Sequence, residues 1–328
     1  MKVIFWGTQG SLPATVNAQT VREKVFLALQ AAQGVSLNSE TDINTFIDEE
    51  LPFAIHGTYG TNTACVQLEA DGDEKLILDA GSGLRDLGRR IVDEGKAKVP
   101  TTYHIVMTHL HWDHIQGFPF FVPAYIAGNR VVIHTYHEET EAAFRQQMSG
   151  KLFPIAFESL AADISFELRK PETPFSLAGY QITGRAQNHP GVSYGYRFEK
   201  DGKAVVYSTD SEHKHEAYEE GYPFIAFFQE ADLLIFDAQY TMADATFTKA
   251  NWGHSSNVMG VELAARSHVK QLAIFHHEPT STDQELEAFL FNTRMYRNIY
   301  HQESGKKLGH ERYPESIILA YDGLELDV

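Results

Sequence analysis

The sequence predicts an α/β protein made of two sheets with helices on the outside, and three observations carry that expectation. Apolar, strand-like runs arrive in groups with amphipathic stretches between them. The groups fall into two halves of similar plan. No short-period repeat, low-complexity tract or Pro- or Ser-rich linker divides the halves, so residues 1–328 are read as a single domain.

The elements follow in order. Lys2 to Trp6 is the first strand, closed by a turn at Gly7 and Gly10. A helix is expected from Thr20, which with Glu23 fits a capping box; Val21, Val25 and Leu29 share a face and Gly34 is a stop. A second short helix, Asp42 to Glu50, gathers Ile43, Phe46 and Ile47 before Pro52. Thr63–Ala70 and Lys75–Asp79 read as a hairpin, Ser82–Asp93 as a helix, and Thr102–Thr108 as a buried strand. Strand Arg130–His134, helix Glu138–Ser149 and strands near Ile164–Leu168 and Ser176–Thr183 come next. Ser193–Glu199 and Ala204–Ser208, joined by Asp201-Gly202, form the clearest hairpin. Strand Leu233–Phe236, helix Ser256–Ser267, strand Leu272–Phe275, helix Gln284–Tyr300 and strand Ser316–Tyr321 complete the chain.

Composition narrows the function. The chain carries 27 Lys and Arg against 44 Asp and Glu, a formal net charge of −17, so a long nucleic acid is an awkward partner. A small anion on a local positive site remains compatible. Cys65 is the single cysteine, so nothing calls for an oxidising compartment. The N-terminus has too short an apolar run for a signal-peptide core, and the most apolar stretch, Phe118 to Ala127, is far short of a membrane span. A cytoplasmic location without membrane attachment is the expectation.

Sixteen histidines remain to be explained, and the decisive stretch is Thr108-His109-Leu110-His111-Trp112-Asp113-His114. It begins where an apolar strand ends. In extended chain, residues two apart point the same way, so His109 and His111 converge on one ion. Asp113 and His114 follow in the turn and aim at a second. Imidazole and carboxylate suit zinc, manganese or iron. The bland alternative, a solvent-facing His-rich loop, fits four such residues in six positions poorly.

HLHWDH resembles the His-x-His-x-Asp-His signature of the metallo-β-lactamase superfamily. The resemblance runs from Val3 to about Glu278 and implies a four-layer αββα sandwich with the site at one edge. It implies that His189, in Asn188-His189-Pro190-Gly191, completes the first metal site and that Asp210 bridges two metals. His276 then belongs to the second site, preferred over its neighbour His277, and Asp79 is the aspartate that steadies the metal loop. Two divalent ions follow, with zinc expected and manganese or iron open. His213 and His215 are read as solvated loop residues, and His104 as a satisfied core or edge histidine.

A second motif points to a branch. Gly253-His254-Ser255-Ser256 before a helix resembles the Gly-His-Ser-Thr segment of the ribonuclease Z-like phosphodiesterases, with Ser256 where Thr is usual. There the histidine protonates the departing alkoxide, and Asp237 resembles the acidic partner that orients it, where Glu is more familiar. No Gly-rich or basic arm lies between His114 and His189, so the compact members that open cyclic phosphodiesters are the nearer likeness. Residues 13–56 depart from them as a helical insertion, read as a lid, a dimer contact or an ornament on the scaffold. The expected activity is hydrolysis of small, nucleotide-type phosphodiesters by a possible homodimer, with His254 and Asp113 catalytic. The alternatives are a tRNA 3′-processing endoribonuclease, a thioester or lactone hydrolase, and a non-catalytic metal-binding module.

Overall fold

The computed structural model describes residues 1–306, 309–310 and 312–328. Strands β1 (Lys2–Gly7), β2 (Cys65–Leu68), β3 (Glu74–Leu78), β4 (Thr102–Val106), β5 (Arg130–Thr135) and β6 (Asp163–Leu168) come from the first half of the chain. The second half supplies β7 (Phe175–Leu177), β8 (Tyr180–Gln187), β9 (Ser193–Lys200), β10 (Lys203–Ser208), β11 (Leu233–Asp237), β12 (Gln271–Phe275) and β13 (Ser316–Leu319). Strand β14 (Glu325–Asp327), which the sequence did not announce, returns to pair with β1. Among the described residues this makes two seven-stranded sheets, in the orders β14-β1-β2-β3-β4-β5-β6 and β13-β12-β11-β10-β9-β8-β7. Each has an antiparallel side and a parallel side, with β3 to β6 and β10 to β13 parallel.

Period-two alternation sets the layers. In β11, Leu233 and Ile235 face the other sheet, while Leu234 and Phe236 face the outer helices. The inter-sheet core adds Phe5, Val66, Leu78 and Val106 from one sheet and Tyr196, Phe198, Tyr207 and Phe275 from the other. Because the parallel strands are covered on both faces, they read as continuous apolar runs rather than clean alternation.

The helices are α1 (Ala18–Ala31), α2 (Glu40–Thr45), α3 (Phe53–His56), α4 (Gly83–Asp93), α5 (Trp112–Ile115), α6 (Thr140–Gln147), α7 (Pro223–Phe228), α8 (Asn257–Arg266) and α9 (Asp283–Tyr300). On the outside of the first sheet, Leu84, Leu87 and Ile91 of α4 and Phe144 of α6 pack over Ile77, Ile105 and Ile133. Outside the second, Phe228 of α7, Leu263 of α8 and Leu290 of α9 pack over Leu234, Phe236 and Ile274. The result is the αββα layering expected from the resemblance. No described helix is long and apolar enough to cross a membrane.

Three local expectations are corrected. Helix α1 starts earlier than Thr20: Asn17 is its cap, accepting from the N–H groups of Gln19 and Thr20, and the capping box falls instead on Ser39 and Asp42 of α2. The expected strand Ser176–Thr183 is two strands, folded back at Ala178 and Gly179, whose φ values of 50° and 84° suit a two-residue hairpin turn. Val21, Val25 and Leu29 do share a face, but that face is exposed, and α1 buries no residue at all. The helix is tied down by Lys24, whose Nζ donates to Ala54 O, Gly57 O and Asp283 Oδ2, each at 2.6 Å.

The two ends of the segment between β1 and β2, which holds α1 to α3, are held together by one half-buried carboxylate, that of Asp322. Asp322 Oδ1 accepts from Thr8 N (3.1 Å), just after β1. Its Oδ2 accepts from Thr61 N (3.0 Å) and Asn62 N (2.8 Å), just before β2.

Candidate metal centre

All ten residues singled out in the sequence lie beyond one edge of the sandwich, where the carboxyl ends of its central strands point. Asp79 follows β3, the His109–His114 segment follows β4, His189 sits in the β8–β9 turn, and Asp210 follows β10. Asp237 ends β11, His254 precedes α8, and His276 follows β12. Clefts at carboxyl ends of parallel strands are where α/β sheets bind ligands. Asp79, Asp210 and His276 have φ of 59°, 53° and 62°, left-handed conformations that cost a side-chain-bearing residue energy and cluster at functional sites.

Two donor groups form around Asp210. Donor atoms of His109, His111 and His189 lie within 4.8 Å of one another, as do those of Asp113, His114 and His276. Asp210 stands between them. Its Oδ1 is 3.8 Å from His109 Nε2 and 3.6 Å from His189 Nε2; its Oδ2 is 3.1 Å from His114 Nε2 and 3.3 Å from His276 Nε2. On the first side, His189 Nε2 is 3.0 Å from His111 Nδ1. On the second, Asp113 Oδ2 is 3.3 Å from His276 Nε2 and accepts from Ser11 N at 2.9 Å. His277 turns away, its Nε2 donating to Ala320 O at 2.7 Å.

These donors fit divalent cations. Four ligands at ~2.1 Å in a tetrahedron stand about 3.4 Å apart, which is the spacing found around Asp210. His109 Nε2 and His114 Nε2 are buried with no hydrogen-bond partner, an arrangement that costs energy unless something else takes the lone pairs. Burial, with neighbouring imidazoles adding to it, lowers the pKa of His109, His111 and His189, leaving them neutral donors. Burial raises Asp113 and Asp210 but the facing histidines outweigh it, so both stay well below the usual carboxylate range. Imidazole and carboxylate together suit zinc, manganese or iron.

Second contacts fix the ring orientations. Asp79 Oδ2 accepts from His114 Nδ1 at 2.8 Å and from Tyr207 OH at 3.0 Å. Its Oδ1 accepts from Thr108 N at 2.8 Å, and Thr108 Oγ1 lies 3.1 Å from His109 Nδ1. His189 Nδ1 donates to Gly253 O at 2.9 Å. Gly253 has φ 89°, and a Cβ there would lie 2.2 Å from His189 Nδ1, so only glycine fits. Such contacts leave the other ring nitrogen free for a metal.

His254 sits beside the cluster, stacked on His276 with ring centroids 5.0 Å apart, its Nδ1 2.7 Å from Asp237 Oδ2. Burial disfavours its charged form, but Asp237, helped by Asp210 and Asp113, outweighs burial and pushes the pKa up to about 9. Ser211 N and Gln239 N hold Asp237 in turn.

The sequence reading missed several supports. Thr108 was within the motif and so within sight, but Tyr207 looks like any apolar strand residue, and Ser11 acts through its backbone. His213 is a correction. It is buried rather than solvated, stacked on Phe236 with centroids 5.5 Å apart, its Nδ1 2.6 Å from Tyr222 OH. His215 is exposed, and His104 is buried with its Nδ1 3.1 Å from His134 Nε2, both as expected.

Comparison with known proteins decides the family. The family model of the beta-lactamase superfamily domain matches residues 74–277, more than half of the chain. The chain belongs to this superfamily. Ribonuclease Z of Synechocystis sp. (strain ATCC 27184 / PCC 6803 / Kazusa) is 24% identical over 292 residues, 69% of this superfamily member and 83% of the ribonuclease. Ribonuclease BN of Enterobacter sp. (strain 638) is 30% identical over 115 residues, 31% of this chain and only 35% of that relative. Among solved structures, the metallo-β-lactamase fold protein YhfI from Bacillus subtilis superposes with TM-score 0.62 at 17% identity, covering 99% of this chain and 98% of its own. A diphosphatase of the PhnP family gives TM-score 0.58 at 18% identity, covering 100% and 97%. At these identities the structures establish the shared metallo-β-lactamase fold, whose members are metal-dependent hydrolases.

Proposed function

We propose that the protein is a dinuclear metal-dependent phosphodiesterase acting on small nucleotide-type phosphodiesters, cyclic ones included. The observation that carries this reading is His254, held by Asp237 against the edge of the metal cluster with its Nε2 free. An acid in that place serves a poor leaving group. A sugar alkoxide needs a proton as it departs, whereas a thiolate does not, and a positioned imidazole is worth ~10²–10⁴-fold.

Two divalent cations, one held by His109, His111 and His189, the other by Asp113, His114 and His276, with Asp210 shared, would supply an acidified water and offset phosphoryl charge. The chain's own groups do the rest. Asp113, fixed by Ser11 N–H, orients the attacking side. His254 gives its Nε2 proton to the departing oxygen, and Asp237 stabilises the charged ring before transfer. The net charge of −17 argues for a short substrate over a long RNA.

The test is a panel of 3′,5′- and 2′,3′-cyclic nucleotides with metal-replete protein, products followed by chromatography, and Asp210→Asn as control. Turnover of one linkage that vanishes in the control supports the reading. No turnover with both metals bound would overturn it. The similarity to ribonuclease Z favours a second reading, tRNA 3′-end cleavage, for which tight and salt-sensitive tRNA binding is the signature.

A further inference from the structure

Three buried imidazoles of the cluster have their Nδ1 held from behind: His114 by Asp79, His109 by Thr108 and His189 by Gly253 O. His276 is the exception. Its Nε2 faces Asp113 and Asp210, but its Nδ1 is buried and, among the described residues, has no hydrogen-bond partner. The ring stacks on His114 and on His254, centroids 5.5 and 5.0 Å away, which sets the plane of the ring but not its rotation within that plane. An unpaired acceptor stands beside it. Gln239, two residues beyond Asp237 and only 7% exposed, has a buried Oε1 that likewise has no partner among the described residues. The two side chains meet at Gly10, just after β1. A Cβ there would lie 2.7 Å from His276 Nδ1 and 2.9 Å from Gln239 Nε2, so glycine keeps open the space in which ring and amide approach.

We propose that Gln239 is the positioning residue of His276, its side-chain oxygen taking the Nδ1 proton when Nε2 serves as a metal ligand. With Nε2 committed to a cation, the neutral ring carries its proton on Nδ1 and needs an acceptor there, as metal-ligating histidines generally have. In the structure the amide nitrogen is the end turned to Gly10 and the ring. That suits the other tautomer, whose proton on Nε2 points to Asp113 and Asp210 and whose Nδ1 lone pair faces an N–H. A half-turn about the last torsion of the side chain, which is soft and nearly two-fold for glutamine, exchanges nitrogen for oxygen. The amide thus answers either tautomer. The main chain is untouched by the turn, and Gln239 N still donates to Asp237 Oδ1, so one residue steadies His276 through its side chain and the Asp237–His254 pair through its backbone. The inference rests on the two-ion reading of the cluster and not on the identity of the substrate.

The test is zinc titration against a chromophoric chelator in the parent, Gln239→Leu and Gln239→Glu. Leucine keeps the bulk and removes the acceptor, whereas glutamate keeps the acceptor. In Gln239→Leu one of the two binding steps is expected to weaken ~10–100-fold while the other holds, and Gln239→Glu to stay within about threefold of the parent. Imidazole ¹⁵N–¹H spectra of the zinc-loaded protein give a second readout. The His276 Nδ1 proton, identified by its loss in His276→Gln, is expected downfield in the parent, as a hydrogen-bonded imidazole N–H is, and upfield in Gln239→Leu. Both steps unchanged or weakened alike in Gln239→Leu, a Gln239→Glu variant as weak as Gln239→Leu, or an unmoved Nδ1 proton would overturn the positioning role, while two zinc ions in the parent keep the two-ion reading. A parent that takes up fewer than two would overturn that reading, and the role with it.

Discussion

Replacing Asp79 with Asn tests whether one buried carboxylate sets up the metal cluster. Asp79 has no exposed surface and receives N–H or O–H groups from Thr108, His114 and Tyr207. An Asn side chain keeps only one acceptor oxygen. With the oxygen towards His114 and Tyr207, its amide faces the Thr108 N–H; turned the other way, it faces two donors. Each buried donor left unpaired costs ~1–3 kcal/mol, more where charge assists the bond. The expected loss of stability is therefore about 2–5 kcal/mol. The functional effect is larger than the geometry suggests, because Asp79 fixes tautomers. With Nδ1 of His114 donating to the carboxylate, Nε2 presents its lone pair to the cluster; through Thr108 Oγ1 the same holds for His109. Supporting contacts of this type are worth ~10–100-fold in metal affinity. Urea unfolding of the metal-free protein and competition against a chelator read the two effects separately, with Tyr207→Phe as the comparison that removes one donor without inverting any. Asp79→Asn costing no more than Tyr207→Phe, with unaltered metal affinity, would refute the reasoning.

Three further outcomes are expected. His254→Asn keeps its metals but loses ~10²–10⁴-fold in turnover of alkoxide-leaving phosphodiesters, and far less with nitrophenolate; equal losses on both would contradict the donor role. Burial lowers His213 to about 3, against ~6.5 unfolded, so below pH 6.5 the unfolded chain takes up a proton that the folded chain refuses. Stability is then complete above pH 6.5 and falls by up to ~1.4 kcal/mol per unit towards pH 3. Urea midpoints should show a shallower acid slope in His213→Phe, and an unchanged slope would count against it. Lys24→Met releases α1, so limited proteolysis within residues 18–31 accelerates while metal content holds; cleavage at the parental rate would show that Lys24 is not the tether.

What could be read from the sequence followed how local its cause was. His109, His111, Asp113 and His114 sit within six positions, so local geometry, extended chain at His109 and His111 and a helical turn at Asp113 and His114, brings them together. His189, Asp210 and His276 come from separate strand ends and were found only through the order that the resemblance supplies. Asp79 and Asp237 were reached the same way, and their partners Tyr207 and Ser211 were not reached at all, Tyr207 because a side-chain contact between sheets leaves no local pattern and Ser211 because it acts through its backbone N–H. His213 was misplaced because its burial comes from Phe224 and Phe228 of α7, which fold back over it. Thr20 looked like a cap because Glu23 completes the box, yet Asn17 lies three residues earlier and caps the helix first, accepting from Gln19 N and from the N–H of Thr20 itself. The apolar face of α1 was visible in the sequence. Its exposure was not, since periodicity reports a face and not what covers it.

The clamp made by Asp322 has a bearing on how the chain tolerates change. Thr8 on the way out and Thr61 with Asn62 on the way back are gripped by the same carboxylate, so β1 and β2 keep their register whatever lies between. Lengthening such a closed excursion is cheap, about 0.6 kcal/mol for each doubling. The molecule thus carries a socket. The stretch that can be exchanged for a foreign domain or a bare turn is α1 with α2, which bury no residue, whereas Phe46, Leu51 and Ala54 beyond them are packed into the protein and have to stay.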